Sequence, residues 1–340
     1  MAKKRLLSID FLRFWAIILM FWDHGLKLFY NFDTHVFMGA VFTRLAVDII
    51  NLTALSSAIF LFLSGFCLAL SFNKHTHRGK TDWLWKKFKK GIWLIFLSYL
   101  LFFYEYNLAK INTIATSGIL QLIGTGLIAG SILFLFSRKT RIIILIFLNY
   151  LTLMIDLALR LKGIVVPFLN VYNFPLLPSI SYFLSGILIG DAYLIWLDKD
   201  KAVKNFKNLF LVSLAGVFVF LSAVNFNPYI IFDSRYLIAG FWQPSVALVI
   251  FNTFLIIAIL SQLIIVENQL RKIDLIRQAS LLGQETLAIY CFHILFVYGA
   301  SKYVLKGATF GFWASLIAIA ASLWISWRWV KIRLKIKKER

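Results

Sequence analysis

Residues Ser8 to Tyr30 read SIDFLRFWAIILMFWDHGLKLFY, an apolar run long enough to cross a bilayer that carries Asp10, Arg13, Asp23, His24 and Lys27. A charge at the centre of a bilayer costs about 2.5–3.5 kcal/mol on insertion scales, so a plain anchor would not keep these groups. Their spacing puts several on one line. Arg13 and His24 are eleven residues apart, which on a helix is three turns plus about 20°, and they lie about 16 Å apart along the axis. Asp10 falls within about 40° of the same line. Such a stripe has definite chemical uses. An imidazole titrates near pH ~6.5 and can take a proton from a hydroxyl or amine. A guanidinium binds phosphate or carboxylate, and an aspartate one turn away orients it. A second polar helix, GQETLAIYCFHILFVYG, carries Glu285 early and His293 in its middle.

The elements that must position these groups are membrane helices. The chain has 340 residues, 61% of them hydrophobic, and a mean hydropathy of +0.81, against about 45–50% apolar content in ordinary soluble domains. Apolar runs of about 20 residues recur along almost the whole length, which predicts an all-α polytopic membrane protein rather than a β-barrel with alternating segments of about 10 residues. Spans are expected at 10–30, 51–72, 89–106, 118–136, 141–160, 176–196, 207–225, 243–265, 281–301 and 308–328, as one membrane domain covering 1–340. Ten helices place both termini on one side. The loops and tails on that side hold 27 of the 36 Lys and Arg residues, and the opposite loops hold seven, which marks the termini as cytoplasmic. That placement also explains the net charge of +21 without nucleic acid. The first run is too long and too charged for a cleaved signal peptide and is read as retained. By this count the first and ninth helices both run outward, with His24 and His293 at similar depth just past the midplane. His293 is equally readable as a packing residue bonded to a neighbouring backbone.

Two cytoplasmic segments are strongly basic. The first, NKHTHRGKTDWLWKKFKK at 73–90, is expected as a loop over 73–88 that leads straight into the third helix at Lys89 and Lys90. Its Lys86, Lys87, Lys89 and Lys90, with Trp83 and Trp85, suit either an anionic ligand or a positive-inside determinant with interfacial tryptophans. His75 and His77 read as solvated loop residues; no metal is expected from two histidines without further ligands. The second, WVKIRLKIKKER, reads as an amphipathic continuation of the last helix. On the outward side lie Asp33, His35, Arg44 and Asp48. Glu105 stands between two tyrosines, Asp156 and Arg160 form an i,i+4 pair, and Trp242 and Gln243 follow Asp233 and Arg235. Aromatics among Asp, Glu, Arg and Gln suit a sugar-like acceptor as well as an ordinary membrane interface. Cys67 and Cys291 sit inside apolar runs, where thiols are usually inert.

SIDFLRFWAIILMFWDH resembles the opening of the transmembrane acyltransferase superfamily, which comprises the acyltransferase 3 proteins of bacterial surface-sugar modification and the heparan-α-glucosaminide N-acetyltransferase-like proteins. The Arg13-to-His24 spacing matches the acyltransferase 3 pattern. AIFLFLSGFCLALSF resembles the second helix of both branches, and GILQLIGTGLIAGS is closer to the heparan branch. KKFKK stands where acyltransferase 3 proteins have Arg-x-x-Arg, and ETLAIYCFHILFVY resembles their late helix with a Tyr-x-x-His-like element, here Tyr290 and His293. Phe14 departs from the pattern, which usually has Gly after the arginine.

The resemblance implies transfer of an acyl group, acetyl foremost, from cytoplasmic acyl-CoA to a hydroxyl or amine of a cell-surface or periplasmic sugar, in the inner membrane of a bacterium. Arg13, Lys86, Lys87, Lys89 and Lys90 would then meet the CoA phosphates, and Asp10 would position Arg13. His24 would be the base. His35, at the distance from Arg13 where the heparan branch carries its catalytic histidine, competes for that role. His293, Lys27 or Asn107 would meet a developing oxyanion, and Asp23, Lys27, Glu105, Trp242 and Gln243 would meet the acceptor. Partners beyond the bilayer and the acceptor stay open, a homo-oligomer included. The rival expectation is a transporter or flippase for a small anionic or glycolipid substrate. It too would place charges at the midplane, but it would also want a broken-helix pair or inverted repeat, and neither shows in the sequence.

Overall fold

The computed structural model describes residues 5–29, 55–75, 79–101, 118–164, 166, 169, 175–198, 201–223, 246–299 and 312–339. All the elements among them are helices. They are α1 (Leu7–Phe29), α2 (Leu55–His75), α3 (Lys80–Leu101), α4 (Ile119–Ile132), α5 (Arg138–Leu161), α6 (Leu176–Asp198), α7 (Ala202–Ala223) and α8 (Val246–Ile265). A short α9 (Glu267–Leu270), α10 (Asp274–Gln284), α11 (Thr286–His293) and α12 (Phe312–Glu339) complete the order. A 3-10 turn (Leu133–Leu135) prolongs α4, and a π-helical turn (Ile294–Tyr298) prolongs α11.

Among the described residues, five helices are long and apolar enough to cross a membrane, and a bent pair raises the number to six. An integral membrane protein follows. α1 has the length, at 23 residues, but its charged groups set it apart from those five. The C-terminal segment continues α12 without a break to Glu339.

Three expectations are corrected. The loop expected over 73–88 is helical from Lys80, where α3 begins, so Lys86 and Lys87 project from a helix together with Lys89 and Lys90. The connection between the expected spans 243–265 and 281–301 is not a plain loop but holds α9 and the start of α10. The ninth span is no single rod, because α10 and α11 meet at a 69° bend at Glu285. The sequence hid that bend, since its helical apolar spacing continues through Glu285 and no proline marks the break.

Contacts within the chain gather into two compact units, one of residues 1–57 and 266–340 and one of residues 58–265. In the second, α3 packs on α4, α5 on α6, and α7 on α8. Lipid offers no hydrophobic drive between helices, so close backbone approach has to supply it, and small residues permit that approach. A Cβ on Gly65 of α2 would strike the Phe183 carbonyl of α6, and one on Gly186 would strike the Phe62 carbonyl. Gly91 and Gly124 make the same reciprocal crossing between α3 and α4. Gly126 and Gly130 leave the room that the fully buried ring of Phe183 fills. In the first unit, α1 packs chiefly on α10 and then on α12.

Candidate active site

The first unit is built around α1. Gly283 of α10 lies so close to α1 that a Cβ there would overlap the Asp10 carbonyl, and Gly25 gives the same clearance to Ile319 of α12. Ser56 Oγ donates to the Ala16 carbonyl at 2.8 Å. The start of α1 is fixed by Glu267, whose carboxylate accepts from the amides of Leu7 (3.2 Å) and Ser8 (3.4 Å) and from Ser8 Oγ (2.5 Å). An anion at a helix N-terminus satisfies orphan amides and complements the dipole. Arg271 bonds Glu267 and donates to the Arg5 carbonyl at 2.6 Å.

Asp10 is 2% exposed and holds two guanidiniums. Arg13 Nη1 donates at 3.2 Å, as the spacing suggests. Arg5 makes the stronger pair, donating from Nε at 2.5 Å and Nη2 at 2.9 Å to the two carboxylate oxygens. One carboxylate between two guanidiniums leaves a net positive charge at this end of α1. Arg5, Glu267 and Arg271 escaped the sequence reading because they looked like ordinary loop and tail charges, and their partners lie up to 266 residues away.

Three turns further along α1, His24 meets His293. Nδ1 of His24 lies 2.7 Å from Nε2 of His293, and the two rings are nearly coplanar, with 4.9 Å between centroids and 20° between planes. His24 is 8% exposed and His293 fully buried. The Phe21 ring lies 4.3 Å from that of His293, between centroids, at 55° to it. The expected equal depth of the two imidazoles is therefore direct contact. It is a hydrogen bond rather than half of a metal site. Two nitrogens about 2.0–2.1 Å from one tetrahedral zinc would stand about 3.3 Å apart. Among the described residues no three His, Cys, Asp or Glu side chains gather for a metal. Two neutral imidazoles in this arrangement share one proton, leaving an outer nitrogen of His24 either as a donor or as a base.

The second unit carries the basic patch. Lys86, Lys89 and Lys90 are exposed, whereas Lys87 is half-buried with its ammonium 5.5 Å over the ring of Trp83. Trp83 is buried against Phe72 and Phe134 and donates to Ser71 Oγ at 3.2 Å. Burial, and then the charge of Lys90, push the Lys87 ammonium down to about 8. Lys89 lies over Trp85 at 5.2 Å. Behind this cluster Arg141 and Asp191 form a buried bidentate ion pair, Nε to Oδ2 at 2.6 Å and Nη2 to Oδ1 at 3.0 Å, with the guanidinium 4.2 Å over Phe134.

The structure thus joins Asp10 with Arg13 and His24 with His293. Asp23 and Lys27 take their places on α1, but their side chains lie outside the described residues, as do His35, Glu105, Trp242 and Gln243. Asp156 is fully buried on α5, and the side chain of its expected partner Arg160 is outside the described residues.

A family model described as an acyltransferase domain, that of acyltransferase 3, matches residues 6–328. No curated protein matches the chain.

Proposed function

This chain belongs to the acyltransferase 3 family, and from that premise we propose that it carries an acyl group, acetyl foremost, from cytoplasmic acyl-CoA to a hydroxyl or amine of an outward-facing carbohydrate. The observation that carries this reading is the buried His24–His293 contact on the same helix as the Asp10–Arg13 pair. It gives a membrane helix a cationic mouth at one end and a proton acceptor further in.

The chemistry runs as one acyl exchange. The acceptor hydroxyl or amine gives its proton to His24 and attacks the thioester carbonyl; the C–S bond breaks, and the imidazolium returns the proton to the departing CoA thiolate. His24 is placed ahead of His35 because a buried hydrogen-bonded imidazole is held in orientation. Arg13, with Asp10 fixing it, and Lys86, Lys87, Lys89 and Lys90 supply cations for the CoA phosphates. A donor such as Lys27 would oppose the developing oxyanion. Asp23, Lys27, Glu105, Trp242 and Gln243 are the proposed acceptor side, where hydroxyls meet carboxylate and amide groups and sugar C–H faces meet an indole. The reading includes one domain over 1–340, ten spans, cytoplasmic termini and a bacterial inner membrane. Acyl-CoA and the sugar are the substrates, with no metal in the chemistry.

The test is to incubate purified protein in lipid nanodiscs with labelled acetyl-CoA and a panel of cell-surface glycans. Label on a glycan together with free CoA is the expected result. The 69° break at Glu285 keeps a second reading alive, because transporters build midplane sites from broken helices. Accumulation of a glycolipid or anionic substrate in proteoliposomes, without any acyl transfer, would decide for it.

Lys87 adds a pH signature. With its ammonium titrating near 8, it is charged below that pH and neutral above it. Affinity for CoA should therefore fall as pH rises through 8, and binding at pH 8 should take up protons. Isothermal titration across pH 6.5–9, in buffers of different ionisation enthalpy, reads both effects, and Lys87→Met should remove them.

A further inference from the structure

We infer that His293 is the positioning partner of the proposed base: its Nε2 accepts the His24 Nδ1 proton, so His24 presents an unprotonated Nε2 to the acceptor. The inference rests on the reading of His24 given above.

The 2.7 Å contact joins Nδ1 of His24 to Nε2 of His293 with one proton between them. A neutral pair has two arrangements. In one, His293 Nε2–H donates and His24 carries its own proton on Nε2, where it is a donor and no base. In the other, His24 Nδ1–H donates, His24 Nε2 bears the lone pair, and His293 holds its proton on Nδ1. Only the second can accept a proton from an attacking hydroxyl or amine.

Two considerations favour that second arrangement. In a Ser-His-Asp site the partner that accepts from Nδ1 fixes the tautomer and steadies the imidazolium. Here that seat is taken by an imidazole that is fully buried and wedged against Phe21. At membrane depth a carboxylate in the same seat would have to be ionised at rest, at a cost a neutral imidazole avoids. When His24 takes the acceptor's proton, its Nδ1–H leans toward His293 and the charge is spread over two rings. The proton then leaves from His24 Nε2 to the CoA thiolate, and the pair returns to its neutral state.

The experiment is 15N NMR of histidine-labelled protein in nanodiscs, with His24→Gln and His293→Gln spectra used for assignment. The expected wild-type spectrum has His24 protonated on Nδ1 and bare on Nε2. In His293→Phe that tautomer should be lost and kcat should fall about 10²–10³-fold at unchanged Kd for acetyl-CoA. His293→Gln, which keeps an acceptor oxygen, should stay within about tenfold of wild type in kcat. A wild-type His24 protonated on Nε2, or a His293→Phe variant with tautomer and kcat unchanged, overturns the inference. The spectrum needs no turnover. If the protein transfers no acyl group, the proposed activity fails while the His24 tautomer still reports on the pair, and wild type with His293→Gln suffices if His293→Phe does not fold.

Discussion

His24→Ala should reduce acyl transfer by about 10²–10⁴-fold in kcat, the usual contribution of a positioned general base, while Kd for acetyl-CoA stays within about twofold of wild type. The separation follows from where the groups lie. The cations proposed for the phosphates are Arg13, at the far end of α1's polar face, and the lysines of α3. The Asp10 carboxylate bonds Arg13 and Arg5 without reference to His24. Removing an imidazole three turns away therefore takes chemistry and leaves donor affinity. His35→Ala is the necessary companion. If His24 is the base, His35→Ala should keep turnover within about tenfold, a loss in KM for the sugar being the natural effect of an outward loop position. Abolished turnover in His35→Ala, with His24→Ala active, would transfer the role of base to the loop histidine. Both measurements need the donor Kd by titration beside steady-state rates, since KM equals Kd only when chemistry is slow.

How much of this was legible in the sequence depends on whether the signal was local. The polar face of α1 was legible because charges in an apolar run are costly and helical geometry converts their spacing into direction. Equal depth for His24 and His293 followed from counting residues along two helices, and the structure adds that they touch. The break at Glu285 was not legible, because the apolar spacing of the ninth span runs on across it. Nothing local tells that Gly283 must lie on the Asp10 carbonyl, a demand that comes from a helix more than 270 residues away. The role of Arg5 was hidden for a different reason. A basic residue before the first helix has a sufficient explanation in the positive-inside pattern, and only coordinates show its guanidinium on Asp10. Asp191 did leave a signal, as an acid inside GILIGDAYLIW, but its partner Arg141 lies 50 residues earlier, at the very start of the expected span 141–160, where a basic residue is ordinary.

That Arg141–Asp191 pair should dominate the stability of the second unit. The side chains are 3% and 1% exposed and doubly bonded, and the pair ties α5 to α6, the helix that crosses α2 at Gly186. Removing one partner strands a buried charge, which costs about 3–5 kcal/mol, whereas removing both leaves none and is often neutral. Asp191→Leu alone should therefore destabilise strongly. It strands a guanidinium left with the faces of Phe134 and Phe72 and one long bond to the Phe136 carbonyl at 3.4 Å. Arg141→Met alone should be comparably harmful, and the double variant should recover most of the loss. Thermal unfolding of the four proteins in the same nanodiscs closes the double-mutant cycle, and additive losses would show that the two groups act independently. Recovery of folding together with acyl transfer would identify the pair as a fastening between helices. Recovered folding with weakened acetyl-CoA binding would instead mean that the charge of Arg141, beside the Trp83 and Lys87 cluster, serves the phosphate end of the donor.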